Sequence, residues 1–390
     1  MMLQLTYLYR NLTRNVLRTL LTCAAVAFPI IIYVLSTAVI DGIDRFLENS
    51  AKQLRLAVTH RTSIINPLPA SYTTKIRTLD PTGEHIVSVC GIRWSGGQVP
   101  DNSMPLSALG VDHEAFIATF PEHELTEAEI AAWMRDRQAV IVGRGTAQKL
   151  GVKVGDRLTI QQTLPPYQLM EFHVISLAEN STDPVTIWFR LDYLMEFNKQ
   201  HGVPTDVLSF IFVKCASNED VDRFRGEIDA LFAGSLDETK TQDEKAFMNE
   251  YITQQFNLPR NLFILSCATV FVAVLAGANT MSMNFRDRIN EFAVFKSIGF
   301  RGGVVFGLIQ AESLFLCLLG GLAGTLGPYL AFTYSPLREY QVPLIQNLEI
   351  MPNVCLQAML ISLGIGIAAA LWPSIQALRL SVVSALRNME

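Results

Sequence analysis

The sequence predicts an α-helical membrane protein with four transmembrane helices plus a large α+β extracytoplasmic domain of two lobes. Three observations predict it. Half of the 390 residues are hydrophobic and only 17% are charged, against about 25% in a typical soluble domain. The charges are absent from four long runs: Thr19–Ile40, Asn261–Phe285, Gly302–Leu337 (broken only by Glu312) and Ile350–Leu378. Each run reaches the roughly 20 residues that an apolar helix needs to cross a bilayer.

The first 18 residues place Leu5, Leu8, Leu12 and Val16 on one helical face and Arg10, Arg14 and Arg18 on another. This is the pattern of an amphipathic helix at the inner membrane surface, residues 1–18, or of a cytoplasmic extension of the first span. The first span follows at 19–40. Basic residues before an apolar run also begin a secretory signal, but this run exceeds the usual 7–15 residue core and no small-x-small cleavage site follows. An uncleaved helix is expected.

Orientation follows from the short basic flanks: Arg10, Arg14 and Arg18 before the first span, Arg286, Arg288, Lys296 and Arg301 between the second and third, and Arg379 and Arg387 after the fourth. The stretch Asp41–Arg260 instead carries 21 Lys+Arg against 30 Asp+Glu. The positive-inside rule puts both termini and the Arg286–Arg301 connector in the cytoplasm of a multi-pass cell (inner) membrane protein, and the long loop outside.

That loop, 41–258, reads as α+β. Leu54–Arg61, His85–Trp94, Met104–Val111 and Val207–Cys215 have strand composition, and Pro69–Leu79 reads as a short helix after a proline turn. Asn218–Phe232 is a helix whose acidic start (Glu219, Asp220, Asp222) suits its dipole. The middle portion, about 139–197, looks like an inserted lobe: a helix capped by Gly151, then the strands Arg157–Gln161, Glu171–Ala178 and Pro184–Phe189. From Asp243 to Leu258 a helix leads to the second span, 259–285. Beyond it come a connector, 286–301, a third span, 302–333, a short external loop, 334–349, a fourth span, 350–373, and a cytoplasmic tail, 374–390.

Enzyme motifs are missing, and no catalytic residues, cofactor or metal are expected. Gly143–Lys149 lacks the second glycine of a phosphate-binding loop, and there is no HExxH, paired CxxC or GxSxG. His113 and His123 lie in an acidic stretch and are expected to be solvated. Cys23, Cys267, Cys317 and Cys355 fall in the spans as small hydrophobes. Cys90 and Cys215 lie outside, where they could pair or remain unrelated buried thiols.

The connector carries the strongest signal. Ile289, Phe292, Ala293 and Lys296 share one helical stripe, with Arg286, Asp287, Arg288, Asn290 and Glu291 around it. Such a stripe has little reason to exist in the cytoplasm unless it docks onto another chain, and docking is the preferred reading; the alternative is packing on the protein's own inner surface. Glu312, about 15 Å into the third run at helical rise, is expected near mid-bilayer, where a carboxylate serves a proton relay or a structural hydrogen bond. No other acidic residue or histidine continues a relay in the spans, so the structural role is preferred. Gly303/Gly307 and Gly320/Gly324 have the GxxxG spacing that lets helix backbones approach. Pro29 and Pro328 would kink or end helices, and Trp372 suits a membrane interface.

Arg10–Thr22, Ala139–Ile160, Arg288–Ser313 (with Glu291, Gly299 and Glu312) and Trp372–Arg387 together resemble, in the right order, the FtsX/MacB-type (type VII, mechanotransmission) ABC transporter permeases. In the tail Ser374 stands where that family often has an alanine. The resemblance implies a permease that dimerises, as a homo- or heterodimer, and recruits a separate ATP-binding cassette ATPase, since the chain opens directly on the first helix. ATPase-coupling residues would be Arg286, Arg288, Ile289, Glu291, Phe292, Lys296 and Gly299; intramembrane structural residues would be Glu312, Gly320 and Gly324. A periplasmic adaptor is a further implied partner, and nucleic acid is not one. Efflux or extrusion of a substrate from the periplasm or membrane is the expected function; the alternative is a signal transmitter that activates an external effector such as a cell-wall hydrolase.

Overall fold

The computed structural model describes residues 16–100, 105–178, 185–334 and 349–379. Residues 1–15, 101–104, 179–184, 335–348 and 380–390 lie outside the described residues, and with them most of the expected entry helix, nearly all of the expected loop at 334–349 and the end of the tail. The chain divides into a membrane-helix unit and a second unit spanning 42–256.

Helix α1, Val16–Ala51, passes unbroken through Pro29. The second unit begins with β1 (Arg55–His60) and continues through β2 (Leu68–Pro69), α2 (Ser71–Arg77), β3 (Ile86–Trp94), β4 (Gly97–Gln98) and β5 (Pro105–Val111). Next come α3 (Phe116–Thr119), a 3-10 turn at Pro121–His123, α4 (Glu127–Arg135), β6 (Ala139–Gly143), α5 (Arg144–Leu150), β7 (Arg157–Gln161), β8 (Leu169–Ala178), β9 (Thr186–Arg190) and α6 (Leu191–Gln200). The unit closes with β10 (Val207–Leu208), β11 (Phe210–Cys215), α7 (Asn218–Leu231), β12 (Thr239–Asp243) and α8 (Glu244–Phe256).

Ten of these strands form one mixed sheet in the order β12-β1-β11-β3-β5-β4-β7-β8-β6-β9, and β9 returns to pair in parallel with β5. The lobe at 139–197 is therefore stitched into the same sheet: β4 and β5 complete a closed ring of six strands with β7, β8, β6 and β9. Strand composition explains which strands lie deepest. In β1 (RLAVTH) every residue but His60 is buried, and in β6 (AVIVG) and β9 (TIWFR) all are. Their apolar residues run together rather than alternate, as in strands covered on both faces. One face packs Leu56, Val58, Phe172, Phe189 and Phe224; the other packs Ala57, Phe116, Trp133, Trp188 and Phe212.

One sequence expectation changes here, and one that was left open takes its second form. His123 is buried, not solvated: its ring stacks on Phe116 at 5.0 Å and lies 4.4 Å from Trp188. The acidic stretch around it folds into a turn in which Glu124 is exposed and Glu122 reaches the buried Arg55, while the imidazole packs into the aromatic core. Cys90 and Cys215 are both buried and free. Cys90 sits opposite Phe212 and Cys215 opposite Ile86 in the β3–β11 ladder, and the two thiols enter opposite core clusters, so the sheet holds them apart.

The membrane unit adds α9 (Leu258–Asp287), α10 (Ile289–Ser297), α11 (Gly302–Tyr334) and α12 (Pro352–Arg379). Helices α1, α9, α11 and α12 are long and apolar enough to cross a membrane. Pro328 and Pro373 lie inside α11 and α12, and neither ends its helix. Lipid supplies no hydrophobic drive between helices, so packing depends on close approach and polar contacts. A Cβ on Gly320 would fall 2.8 Å from the Cys23 carbonyl oxygen, and one on Gly324 would fall 2.7 Å from that of Ala27, so α11 lies against α1 only because both residues are glycine. Ser313 Oγ donates to the Gly366 carbonyl at 2.8 Å, and Ser362 Oγ donates to that of Cys317, fastening α11 to α12. Gly303 and Gly307 meet nothing within 4 Å. Among the described residues, only one of the two GxxxG spacings packs against another helix.

Candidate functional site: the connector between the second and third membrane helices

The connector begins where α9 ends at Asp287 and α10 starts at Ile289. Arg288, between them, is 5% exposed although it is an arginine. Its Nε donates to Glu291 Oε2 at 3.0 Å and its Nη1 to Glu312 Oε2 at 2.9 Å. Asn284 Nδ2 donates to the other Glu312 oxygen at 2.6 Å, so both carboxylate oxygens are partnered. The guanidinium also covers the Phe292 ring, 5.1 Å from its centroid. A buried charge is tolerated when it is paired and its remaining hydrogen bonds are made, and here one arginine ties three helices together.

Glu312 lies level with the last turn of α9, where Asn284 reaches it, and α11 runs on past that level to Gly302, which approaches Leu378, next to the end of α12. The carboxylate has Asn284 and Arg288 as hydrogen-bonding partners.

The apolar stripe of α10 turns inward. Phe292 is 2% exposed and Ala293 is buried; Phe292 stacks on Phe285 at 5.8 Å among Val305, Ile309, Ala370 and Ala377. Ile289 is half-buried against the same cluster. Lys296 Nζ donates to the Leu378 carbonyl at 3.1 Å and so caps the end of α12. The helix stops at a Schellman turn. Gly299, at φ +99°, donates to the Lys296 carbonyl, and Phe300 N donates to that of Phe295 at 3.1 Å. The φ > 0 position favours glycine, and the Phe295 and Phe300 rings close the turn edge to face at 5.7 Å.

What α10 presents outward is its other side. Arg286, Asn290, Ser297 and Arg301 are exposed, as are Val294 (43%), Ile298 (71%) and Phe300 (50%). Sequence reasoning missed this second apolar group because Val294, Ile298 and Phe300 straddle the helix end, where helical spacing no longer applies. Of the expected coupling residues, Arg286 is exposed at the end of α9; Arg288, Ile289, Glu291 and Phe292 belong to the anchor, and Lys296 and Gly299 form the helix end.

Four membrane helices with a short helix clamped between the second and third, and a large α/β unit inserted between the first two, define the class. The MacB-like periplasmic core domain matches residues 19–231 and the FtsX-like permease C-terminal domain matches residues 263–382. The chain belongs to the FtsX/MacB-type ABC transporter permease family. It is 24% identical over 281 residues to an ABC transporter permease of Methanocaldococcus jannaschii, covering 67% of this chain and 66% of that protein. It is also 24% identical over 268 residues to an ABC transporter permease protein of Mycobacterium tuberculosis, covering 67% of this chain and 30% of that one. Among solved structures, the extracellular domain of the noncanonic ABC-type transporter YknZ from Gram-positive bacteria aligns over 48% of this chain and 99% of its own, with 10% identity and a TM-score of 0.34. A domain of a permease protein from Porphyromonas gingivalis aligns over 49% of this chain and 89% of its own, with 14% identity and a TM-score of 0.30.

Proposed function

We propose that this permease couples ATP hydrolysis by a separate ATPase subunit to movement of its extracytoplasmic domain, in efflux or extrusion of a substrate from the periplasm or membrane. The observation that carries the reading is the connector: a nine-residue helix held by buried charge at its start and by Lys296 at its end, with Val294, Ile298 and Phe300 facing away from the spans. An exposed apolar group on a rigid mount is what a docking partner would use. In this reading Arg286 and Arg301 border the docking surface, while Arg288, Glu291, Phe292 and Glu312 pass its displacement to α9 and α11. The protein then lies in the inner membrane with both termini cytoplasmic, pairs with a second permease, and can work with a periplasmic adaptor.

The test is co-purification of the ATPase subunit with Val294→Asp/Ile298→Asp. Loss of roughly tenfold or more, about 1.4 kcal/mol of association, with unchanged membrane yield is expected. Undiminished co-purification would remove the docking surface from the outward face. Glu291→Ala/Phe292→Ala should weaken co-purification as well, but through a loosened mount. Substrate-stimulated ATP hydrolysis separates transport from activation of an external effector, in which small molecules leave the rate unchanged.

A further inference from the structure

A second buried charge cluster lies in the extracytoplasmic unit, at the two points where the chain enters and leaves it. Arg55 opens β1, four residues after α1 ends at Ala51, and Glu244 opens α8, whose end at Phe256 precedes α9 by one residue. Although 189 positions apart in sequence, their side chains form a two-pronged fork: Arg55 Nε to Glu244 Oε2 at 2.6 Å and Nη2 to Oε1 at 2.9 Å. Nη1 donates to Glu122 Oε1 at 2.7 Å and to the Thr119 carbonyl at 2.9 Å, and the guanidinium rests 4.5 Å over Phe120. Arg55 is 2% exposed and Glu244 4%.

The surroundings reinforce the same junction. β1 pairs with β12, the strand that runs into Glu244, with Leu56 opposite Asp243. Leu54, just before Arg55, has φ +50°, a conformation that is an outlier for a residue other than glycine. It is pinned by Cys215 N, which donates to its carbonyl at 2.9 Å, while Lys214 Nζ donates to the Gln53 carbonyl. Burying three charged groups is a poor route to stability, since apolar replacements are often as good. A bidentate arginine–carboxylate pair does add fixed orientation.

We infer that Arg55 is a positioning residue that locks the incoming and outgoing chain to a single point of the sheet, so that α8 and β1 move as one body. This deepens the coupling reading, because displacements arriving through the first and second membrane helices would then reach the sheet together rather than shear it.

The experiment is a pulsed electron-spin distance measurement on the full chain in nanodiscs, with labels at the exposed positions Glu48 and Asn249. A control pair sits at Glu171 and Glu196 in the middle lobe. In the unsubstituted protein the Glu48–Asn249 distribution is narrow. In Arg55→Lys, which keeps the charge and loses the fork, or in Glu244→Gln, which folds with one prong intact, its width roughly doubles while the control pair is unchanged. Wild-type width in both variants overturns the inference. So does equal broadening of both pairs, which would make the cluster a general stabiliser of the domain. Adding the ATPase and ATP is a separate arm: a distribution that never responds to nucleotide counts against the coupling reading and leaves the lock standing.

Discussion

His123 shows how one side chain can set a pH response. Burial among Phe116, Phe120 and Trp188 and the nearby Arg55 charge push its pKa down to about 3, so the folded protein holds it neutral. The unfolded chain takes up a proton near the ordinary histidine value of about 6.5. Between the two values the unfolded state binds more protons, so stability falls as pH drops from about 6.5 toward 3, by up to roughly 1.4 kcal/mol per unit. Asp80, held at about 2 by amide hydrogen bonds from Ile86 and His85, loses its contribution only at more acid pH, from about 3.9 downward. Thermal unfolding of the full chain in detergent at pH 4.5 to 6.5 checks this. His123→Gln should flatten the slope by about one proton; an unchanged slope would mean that the imidazole is hydrated and titrates normally. Residue type alone did not reveal this histidine. Its sequence neighbours Glu122 and Glu124 are charged, and only the packing of the 3-10 turn turns the ring inward.

At the scale of single elements, the four spans were legible because lipid and buried helix faces select the same long uncharged runs, and β9 was legible as a short apolar run, whereas β6, an equally apolar run at Ala139–Gly143, was not read as a strand. The direction in which a face points was not. Ile289, Phe292 and Ala293 carry the spacing of an amphipathic face, but spacing does not say whether that face meets another chain or the protein's own spans. Phe285, Val305 and Ala377, from three other helices, decide it. The glycines make the same point. Gly320/Gly324 and Gly303/Gly307 have identical spacing in one helix, yet only the first pair touches α1. Gly324→Leu should therefore push α11 off α1 and destabilise the membrane unit by about 1–3 kcal/mol or more. Gly307→Leu should stay within about 0.5 kcal/mol. Unfolding in mixed detergent reads the difference. Equal effects would mean that the α1–α11 contact is not governed by backbone approach. Loss of activity in a stably folded Gly307→Leu would mark that face as one that meets another chain, as the dimer proposal requires.

Over the whole molecule, two buried arginines occupy corresponding places: Arg288 where the second span meets the connector, and Arg55 where the chain enters the sheet. Each holds two carboxylates and lies against a phenylalanine ring, Phe292 and Phe120 respectively. An element that must pass on a displacement needs fixed orientation at its ends more than it needs apolar area, and paired arginines supply that. Composition hides both, because an arginine beside a span reads as a topology signal and one at a strand start reads as surface. The orientation of the chain gives the last test. If the connector is inside and residues 42–256 outside, as proposed from the positive flanks, a cysteine at Ser297, which is exposed on the connector, should react in intact cells only with a membrane-permeant maleimide. A cysteine at Leu236, 96% exposed in the other unit, should react with an impermeant one. The background needs Cys267→Ser, since that thiol is exposed, whereas Cys90 and Cys215 are buried and their thiols are pushed upward in pKa by burial. Labelling of Ser297→Cys by the impermeant reagent would invert the topology. The connector would then face away from any cytoplasmic ATPase, and the docking role of Val294, Ile298 and Phe300 would fall with it.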